Sequence, residues 1–191
     1  MRIISESDTA QRRTHETSGA IGLRVGGIDL GKRRIAIATF EVNDGEIDLI
    51  DLTDVGMRVG IRTRGRELGV LADTILGISL EYDWHEAFVE EPLMGMSVAS
   101  SMSLAESAGV AQFALGDVNT TMVNVRTWKH VVLGNGNASK GQIRTYVDQN
   151  HPLYASWCDS QDAYDAVCIG YYGALRFTPL VDGAGTRAGS G

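Results

Sequence analysis

Five stretches of the chain carry the short apolar or alternating pattern of strands, and five more carry apolar residues at helical spacing. "LRVGGID" is an apolar, β-branched run that ends in an aspartate. "RRIAIATFEV" follows after a glycine-containing turn. "EIDLIDLTDV" alternates apolar and polar beyond the turn signal Asn43-Asp44-Gly45. Three such runs in succession predict an antiparallel meander. "GRELGVLADTILGISLEY" then places Leu68, Leu71, Ala72, Ile75 and Leu76 at helical spacing. "HEAFVEE" reads as a short buried strand, again ending in acid. "SVASSMSLAESAGVAQFAL" reads as a helix rich in small residues, and "TTMVNV" as a strand. "TWKHVVL", the loop "GNGN", a helix from about Ser139 to Asn150 and a final helix that begins in aspartates complete the chain.

The order β-β-β-α-β-α-β-α-α-α predicts an α/β fold. Its core is a mixed five-stranded sheet, three antiparallel strands followed by parallel ones, flanked by helices. A chain of 191 residues is long enough for one domain with a real core. Residues 1–22 are polar without sustained period, which predicts a disordered N-terminal tail. Residues 178–191, with the Gly/Ser-rich "DGAGTRAGSG", predict a flexible C-terminal one. The domain is expected over 23–177.

Composition narrows the class. At 43% hydrophobic and 21% charged, the chain has the balance of an ordinary soluble protein. No stretch is long and apolar enough to cross a membrane, and the start lacks the apolar middle of a secretion signal. Cys158 and Cys168 have no zinc-type spacing. A reduced, cytoplasmic protein is expected. The net charge of −7 excludes a polycation that coats nucleic acid, but the positive charges are clustered. Arg58, Arg62, Arg64 and Arg66 form one group; Lys32, Arg33 and Arg34 a second; Arg126, Lys129, Lys140 and Arg144 a sparser third. Each is either a phosphate-binding surface or a solvated face.

Candidate chemistry lies in the acids. Asp29 ends the first strand and Glu90, or Glu91, the fourth. Sites in open α/β sheets form beyond strand ends. "DSQDAYDAVCIG" sets Asp159, Asp162 and Asp165 three apart at the head of the last helix. Residues so spaced share a helix face. Carboxylates that converge repel unless a cation lies between them, and hard oxygen donors suit Mg²⁺ or Mn²⁺. Two such ions can clamp the attacking and leaving oxygens of a phosphodiester. In "NASKGQIRTYV", Ser139 and Gln142 have capping-box spacing. That puts Lys140 in the first turn, beside free N–H groups that favour an anion. His15, His85, His130 and His151 have no ligand spacing, and the three tryptophans read as packing residues.

With these residues in place the sequence resembles the RuvC-type Holliday junction resolvases of the RNase H-like superfamily, over roughly Leu23 to Arg176. "GGIDLGKRRIAIATFE" looks like the first family motif, with its catalytic aspartate at Asp29. "AFVEEPLMGMSVASSMSLAESAGV" looks like the second and selects Glu90 over Glu91. "WKHVVLGNGNASKGQIRTYV" looks like the segment with DNA-contacting lysines, at Lys129 and Lys140. "DAYDA" looks like the last acidic pair, Asp162 and Asp165. One departure is Leu93, at the place of a family phenylalanine that packs against junction bases; base stacking by an aromatic is worth about 1–3 kcal/mol. Leu93, the arginine cluster and the polar tails suggest a divergent, phage-encoded relative, less selective among branched substrates.

The resemblance implies an RNase H-like fold and a structure-selective endodeoxyribonuclease. It would cut four-way junctions, and other branched DNA, with two Mg²⁺ ions (or Mn²⁺) held by Asp29, Glu90, Asp162 and Asp165, leaving a 5′ phosphate. A two-fold junction calls for paired cuts and hence a homodimer. The small-residue helix, with Ala99, Ala105, Ala108 and Gly109, could serve either a subunit contact or packing on the sheet. Lys129, Lys140, Arg62, Arg64 and Arg66 are expected at phosphates and Leu93 at the DNA. Asp159 is expected to be the N-cap of the last helix, because the apolar pattern of Ala163, Ala166, Val167 and Gly170 begins after it. Two other readings fit parts of the pattern. A junction-binding protein without activity would be expected to have lost acids, and all four are present. An actin-like or sugar-kinase ATPase shares the "IDLG" turn, but the chain is short for two lobes and has no second phosphate loop.

Overall fold

The computed structural model describes residues 22–31, 34–56, 63–92 and 97–178. Except for Gly22 and Thr178, the two expected tails lie outside the described residues, as do Arg58, Arg62 and Leu93. Strands β1 (Leu23–Leu30), β2 (Arg34–Asn43) and β3 (Glu46–Gly56) form the antiparallel meander. Its second turn has positive φ at Asp44 (49°) and Gly45 (88°), the backbone that a tight hairpin requires. Helix α1 (Arg64–Glu81) leads to β4 (Glu86–Glu90), and α2 (Val98–Leu115) leads to β5 (Asn119–Val123). Both strands add parallel, giving the sheet order β3-β2-β1-β4-β5. Helices α3 (Val125–Leu133), α4 (Lys140–Asn150), the short α5 (Pro152–Ala155) and α6 (Gln161–Leu175) follow. The predicted mixed five-stranded sheet is therefore present. The four-residue α5 is additional; it begins at Pro152, where the fixed proline φ suits a first helical turn.

Alternation along the strands divides the core in two. On one face Ile28, Ile35, Ile37 and Val89 pack with Leu71 and Ile75 of α1 and Ala108 and Ala111 of α2. Leu76, expected within the α1 stripe, is 45% exposed, and the stripe continues instead through Ile78 and Ser79. On the other face Val25, Ala36, Phe40 and Phe88 pack with Trp128, Ile143, Val147, Ala166 and Ile169 from α3, α4 and α6.

Helix α6 lies against β1 with almost no space between the backbones. A Cβ on Gly27 would collide with the backbone of Gly170 and stand 2.8 Å from the Ala166 carbonyl oxygen. This crossing brings the head of α6 to the end of β1. Among the described residues Cys158 and Cys168 are free thiols, and no helix is long and apolar enough to cross a membrane.

Candidate active site

Asp29 and Glu90 stand at the ends of adjacent parallel strands, paired as far as Ile28 with Val89. Asp29 lies opposite Ala36 on β2, so both face the α6 side of the sheet. Glu90 shares its face with Phe88, two residues earlier, and is on the same side. From above, α6 brings Asp162 in its first turn and Asp165 one turn on. The Asp162 carboxylate abuts Gly31: a Cβ there would meet its Oδ2 at 3.0 Å. A cleft of about 50 Å³ opens beside Asp29 and Glu90, lined also by Leu30, Glu91, Pro92 and Leu104. Glu91 itself is exposed and accepts from Asn124 Nδ2 at 3.3 Å.

The acids repel one another. Burial raises the Asp29 carboxyl well above its ordinary range, and Glu90, Asp165 and Asp162 push it further, with Lys140 opposing. Burial pushes Glu90 up to about 7; the hydrogen bond from Trp128 opposes this, Asp165 adds to it, and Lys129 and Lys140 counter it. Burial also raises Asp165, against the hydrogen bond from Gln161 and the charges of Lys129 and Lys140, while Asp162 adds to the rise. Among the described residues no ion pair reaches any of the four. Nor are any three His, Cys, Asp or Glu side chains among them gathered closely enough to form a finished metal cage. Unscreened carboxylates stand apart; a cation between them would remove the reason. Buried oxygen donors with excess negative charge and no direct ion pair among the described residues have the chemistry of a Mg²⁺ or Mn²⁺ site.

Two lysines border the acids. Lys140 opens α4 behind the expected capping box: Gln142 N donates to Ser139 Oγ at 3.3 Å, and Ser139 N donates to Gln142 Oε1 at 2.8 Å. Lys129 on α3 donates to the Ala138 carbonyl oxygen at 3.0 Å, with its ammonium 5.5 Å from the Trp128 ring centre. Both lie close enough to lower the acid pKa values.

Other expectations change. Arg64, expected at phosphate, is held between α1 and α2. It donates to Glu106 (3.0 Å), Glu67 (3.2 Å), the Ser103 carbonyl oxygen and Ser107 Oγ (2.9 Å). Its charge is spent inside the protein because α2 presents a matching acid, which residue spacing does not reveal. Arg66 is exposed. Asp159 is not the N-cap of α6. Ser160 is, accepting from Ala163 N at 3.1 Å, and Asp159 is exposed. Serine caps as well as aspartate.

Two residues at the site were not singled out by sequence. Trp128, fully buried, donates its indole N–H to Glu90 Oε2 at 2.9 Å. It had read as packing, and no spacing links it to Glu90, 38 positions away. Gln161 donates to Asp165 Oδ1 at 3.0 Å; their i, i+4 spacing was a legible signal.

A family model described as "Crossover junction endodeoxyribonuclease RuvC" matches residues 25–171. A Gluconacetobacter diazotrophicus protein of that name is 30% identical over 172 residues, covering 86% of this chain and 98% of its own. One from Xanthobacter autotrophicus is 24% identical over 149 residues, covering 77% and 86%. Among solved structures, Thermus thermophilus RuvC in complex with a Holliday junction substrate superposes with a TM-score of 0.70 at 16% identity, over 81% of this chain and 94% of that one. The yeast mitochondrial Holliday junction resolvase does so with 0.56 at 13% identity, over 91% and 88%. At these identities the structural likeness speaks for the RNase H-like fold.

Proposed function

This chain belongs to the RuvC family of crossover junction endodeoxyribonucleases, and from that premise we propose that it hydrolyses phosphodiester bonds at four-way DNA junctions and other branched DNA with divalent cations. One observation carries the reading. Carboxylates from β1, β4 and α6 converge on one face of the sheet, burial raises Asp29, Glu90 and Asp165, and among the described residues no direct ion pair balances them. Asp29, Glu90, Asp162 and Asp165 would hold two Mg²⁺ ions, with Mn²⁺ able to substitute. When bound, such a pair supplies an activated water and stabilises the leaving 3′ oxygen, so that the product carries a 5′ phosphate.

The chain's own groups do the rest. Asp29, at the end of β1, lies close enough to Glu90, Asp165 and Asp162 to feel their charge. Lys140, at a helix start with free N–H groups, and Lys129 draw the DNA phosphates to the acids. Arg66, exposed on α1, and Arg62 would add further phosphate contacts. Leu93 at the family's aromatic position supports a broader range of branched substrates, and the divergence from the bacterial relatives supports a phage-encoded origin, which the gene's neighbourhood would test. The place of action is the cytoplasm of a bacterial or phage-infected cell.

We read the active form as a homodimer. Val98, Met102 and Phe113 of α2 are exposed (75%, 60% and 84%). With Ala105 and Gly109, also exposed, they share one stripe, whereas Ala108 packs on the sheet. A Phe113→Asp variant should sediment as a monomer.

The deciding experiment incubates the chain with a labelled four-way junction, a fork and a linear duplex, in Mg²⁺ and in EDTA. Branched substrates should be cut only with Mg²⁺. Asp29→Asn and Glu90→Gln should abolish cleavage yet bind the junction within a few-fold, because affinity comes from Lys and Arg. Cutting in EDTA, or wild-type cutting by either variant, would exclude the reading.

A further inference from the structure

Trp128 joins the two kinds of charge at this site. Its indole N–H donates to Glu90 Oε2 at 2.9 Å. Its ring takes the Lys129 ammonium at 5.5 Å, and Lys129 is tied a second time to the Ala138 carbonyl oxygen. The side chain has no freedom to do otherwise. It is fully buried within the core formed by α3, α4, α6 and the sheet. The start of α3 is anchored by Asn124, whose Oδ1 accepts from Arg126 N at 3.0 Å. A carboxylate at a strand end can adopt many rotamers, and each lost rotamer costs entropy when a cation is bound. Here one oxygen is already held by a fixed donor, which leaves Oε1 to face a cation. Indole donates and never accepts, so it cannot itself compete for a metal, as a histidine or glutamine in its place could.

We propose that Trp128 is a positioning residue for the cation site: its N–H fixes Glu90 in the ligating orientation while its ring seats Lys129. The proposal rests on Glu90 being a metal ligand. Partners that hydrogen-bond a ligating carboxylate are worth about 10–100-fold in metal affinity.

The test reads metal binding directly. In the ¹⁵N-labelled wild-type chain, the Trp128 indole N–H resonance should shift on Mg²⁺ addition and saturate with the binding isotherm measured by calorimetry. Trp128→Phe keeps a ring but lacks the donor. Its Mn²⁺ affinity, followed by the paramagnetic resonance of free Mn²⁺, should fall by at least about tenfold. Its junction affinity without metal should stay within about twofold, since phosphate contacts set it. A Trp128 resonance that does not move at saturating Mg²⁺ would overturn the proposal, and so would a folded Trp128→Phe that binds Mn²⁺ as tightly as wild type. If that variant does not fold, the wild-type resonance decides alone. Glu90→Gln separates the two readings. If it binds Mn²⁺ normally, Glu90 is not a ligand; if it loses Mn²⁺ while Trp128→Phe keeps it, only the positioning role fails.

Discussion

Replacing Gly27 with alanine should damage catalysis through the backbone, without touching any group that binds DNA. The added Cβ would run into the backbone of Gly170 and stand 2.8 Å from the Ala166 carbonyl oxygen. Non-bonded carbons settle at about 3.5–4.0 Å. Neither neighbour is the end of a flexible side chain, so α6 as a whole must retreat from β1 by about 1 Å. Overpacking of this kind costs about 1–3 kcal/mol, and a backbone obstacle belongs at the upper end. The same retreat moves Asp162 and Asp165 away from Asp29, and a displacement of about 1 Å can cost about 10²-fold in rate. Guanidinium unfolding should show a lower midpoint for Gly27→Ala. Single-turnover cleavage of a four-way junction in Mg²⁺ should slow by roughly two orders of magnitude, while junction affinity changes much less. As a control, Gly69 and Gly77 lie exposed within α1, where an added Cβ would meet nothing within 4 Å. Alanine at either should stabilise by about 0.4–1 kcal/mol and leave cleavage alone. If Gly27→Ala unfolded and cut like wild type, the close crossing of α6 over β1 would not set the spacing of the acids.

Ser160→Ala should destabilise by about 0.5–2 kcal/mol in urea titrations. Asp159→Asn should change neither stability nor cleavage, whereas Asp162→Asn and Asp165→Asn should each lose Mg²⁺-dependent cutting; an inactive but folded Asp159→Asn would contradict the helix register. Arg64→Ala should lower stability by about 1.5–3 kcal/mol, the range for hydrogen bonds to charged groups, with no change in the salt dependence of DNA binding. Arg66→Ala should instead flatten the log–log salt slope by up to about 0.9; an unchanged slope would leave Arg66 facing solvent. Glu90 is raised from 4.5 to about 7 in the folded, metal-free chain, so between those values the folded state holds more protons than the unfolded one. Metal-free stability should therefore fall as pH rises through that window, by up to roughly 3 kcal/mol. Glu90→Gln should lessen the slope without abolishing it, since Asp29 and Asp165 are raised as well, and thermal melts at several pH values would show whether it does.

The mixed five-stranded sheet and the acids that end two of its strands were legible in the chain itself, whereas the order β3-β2-β1-β4-β5 was not. "LRVGGID", "RRIAIATFEV" and "EIDLIDLTDV" carry alternation and turn residues that permit few arrangements other than a meander, and the later strands are separated by helices, the crossover that parallel addition needs. The capping box at Ser139 was equally plain, because it involves only neighbours. The family motifs select Glu90 from the Glu90–Glu91 pair, and Glu90 ends the strand that pairs with β1. What failed, or stayed hidden, depended on contacts between elements distant in sequence. Arg64 looked like one of a row of phosphate-binding arginines until α2 placed Glu106 against it. Trp128 looked like core until β4 brought the Glu90 oxygen to its N–H. Asp159 is displaced as the cap by Ser160, whose hydroxyl takes the Ala163 N–H. Periodicity records which side of an element is buried, since burial acts on each residue separately. It carries no record of which polar group lies across the interface, because a directed hydrogen bond depends on two elements meeting at one distance and angle, and only the folded chain sets those.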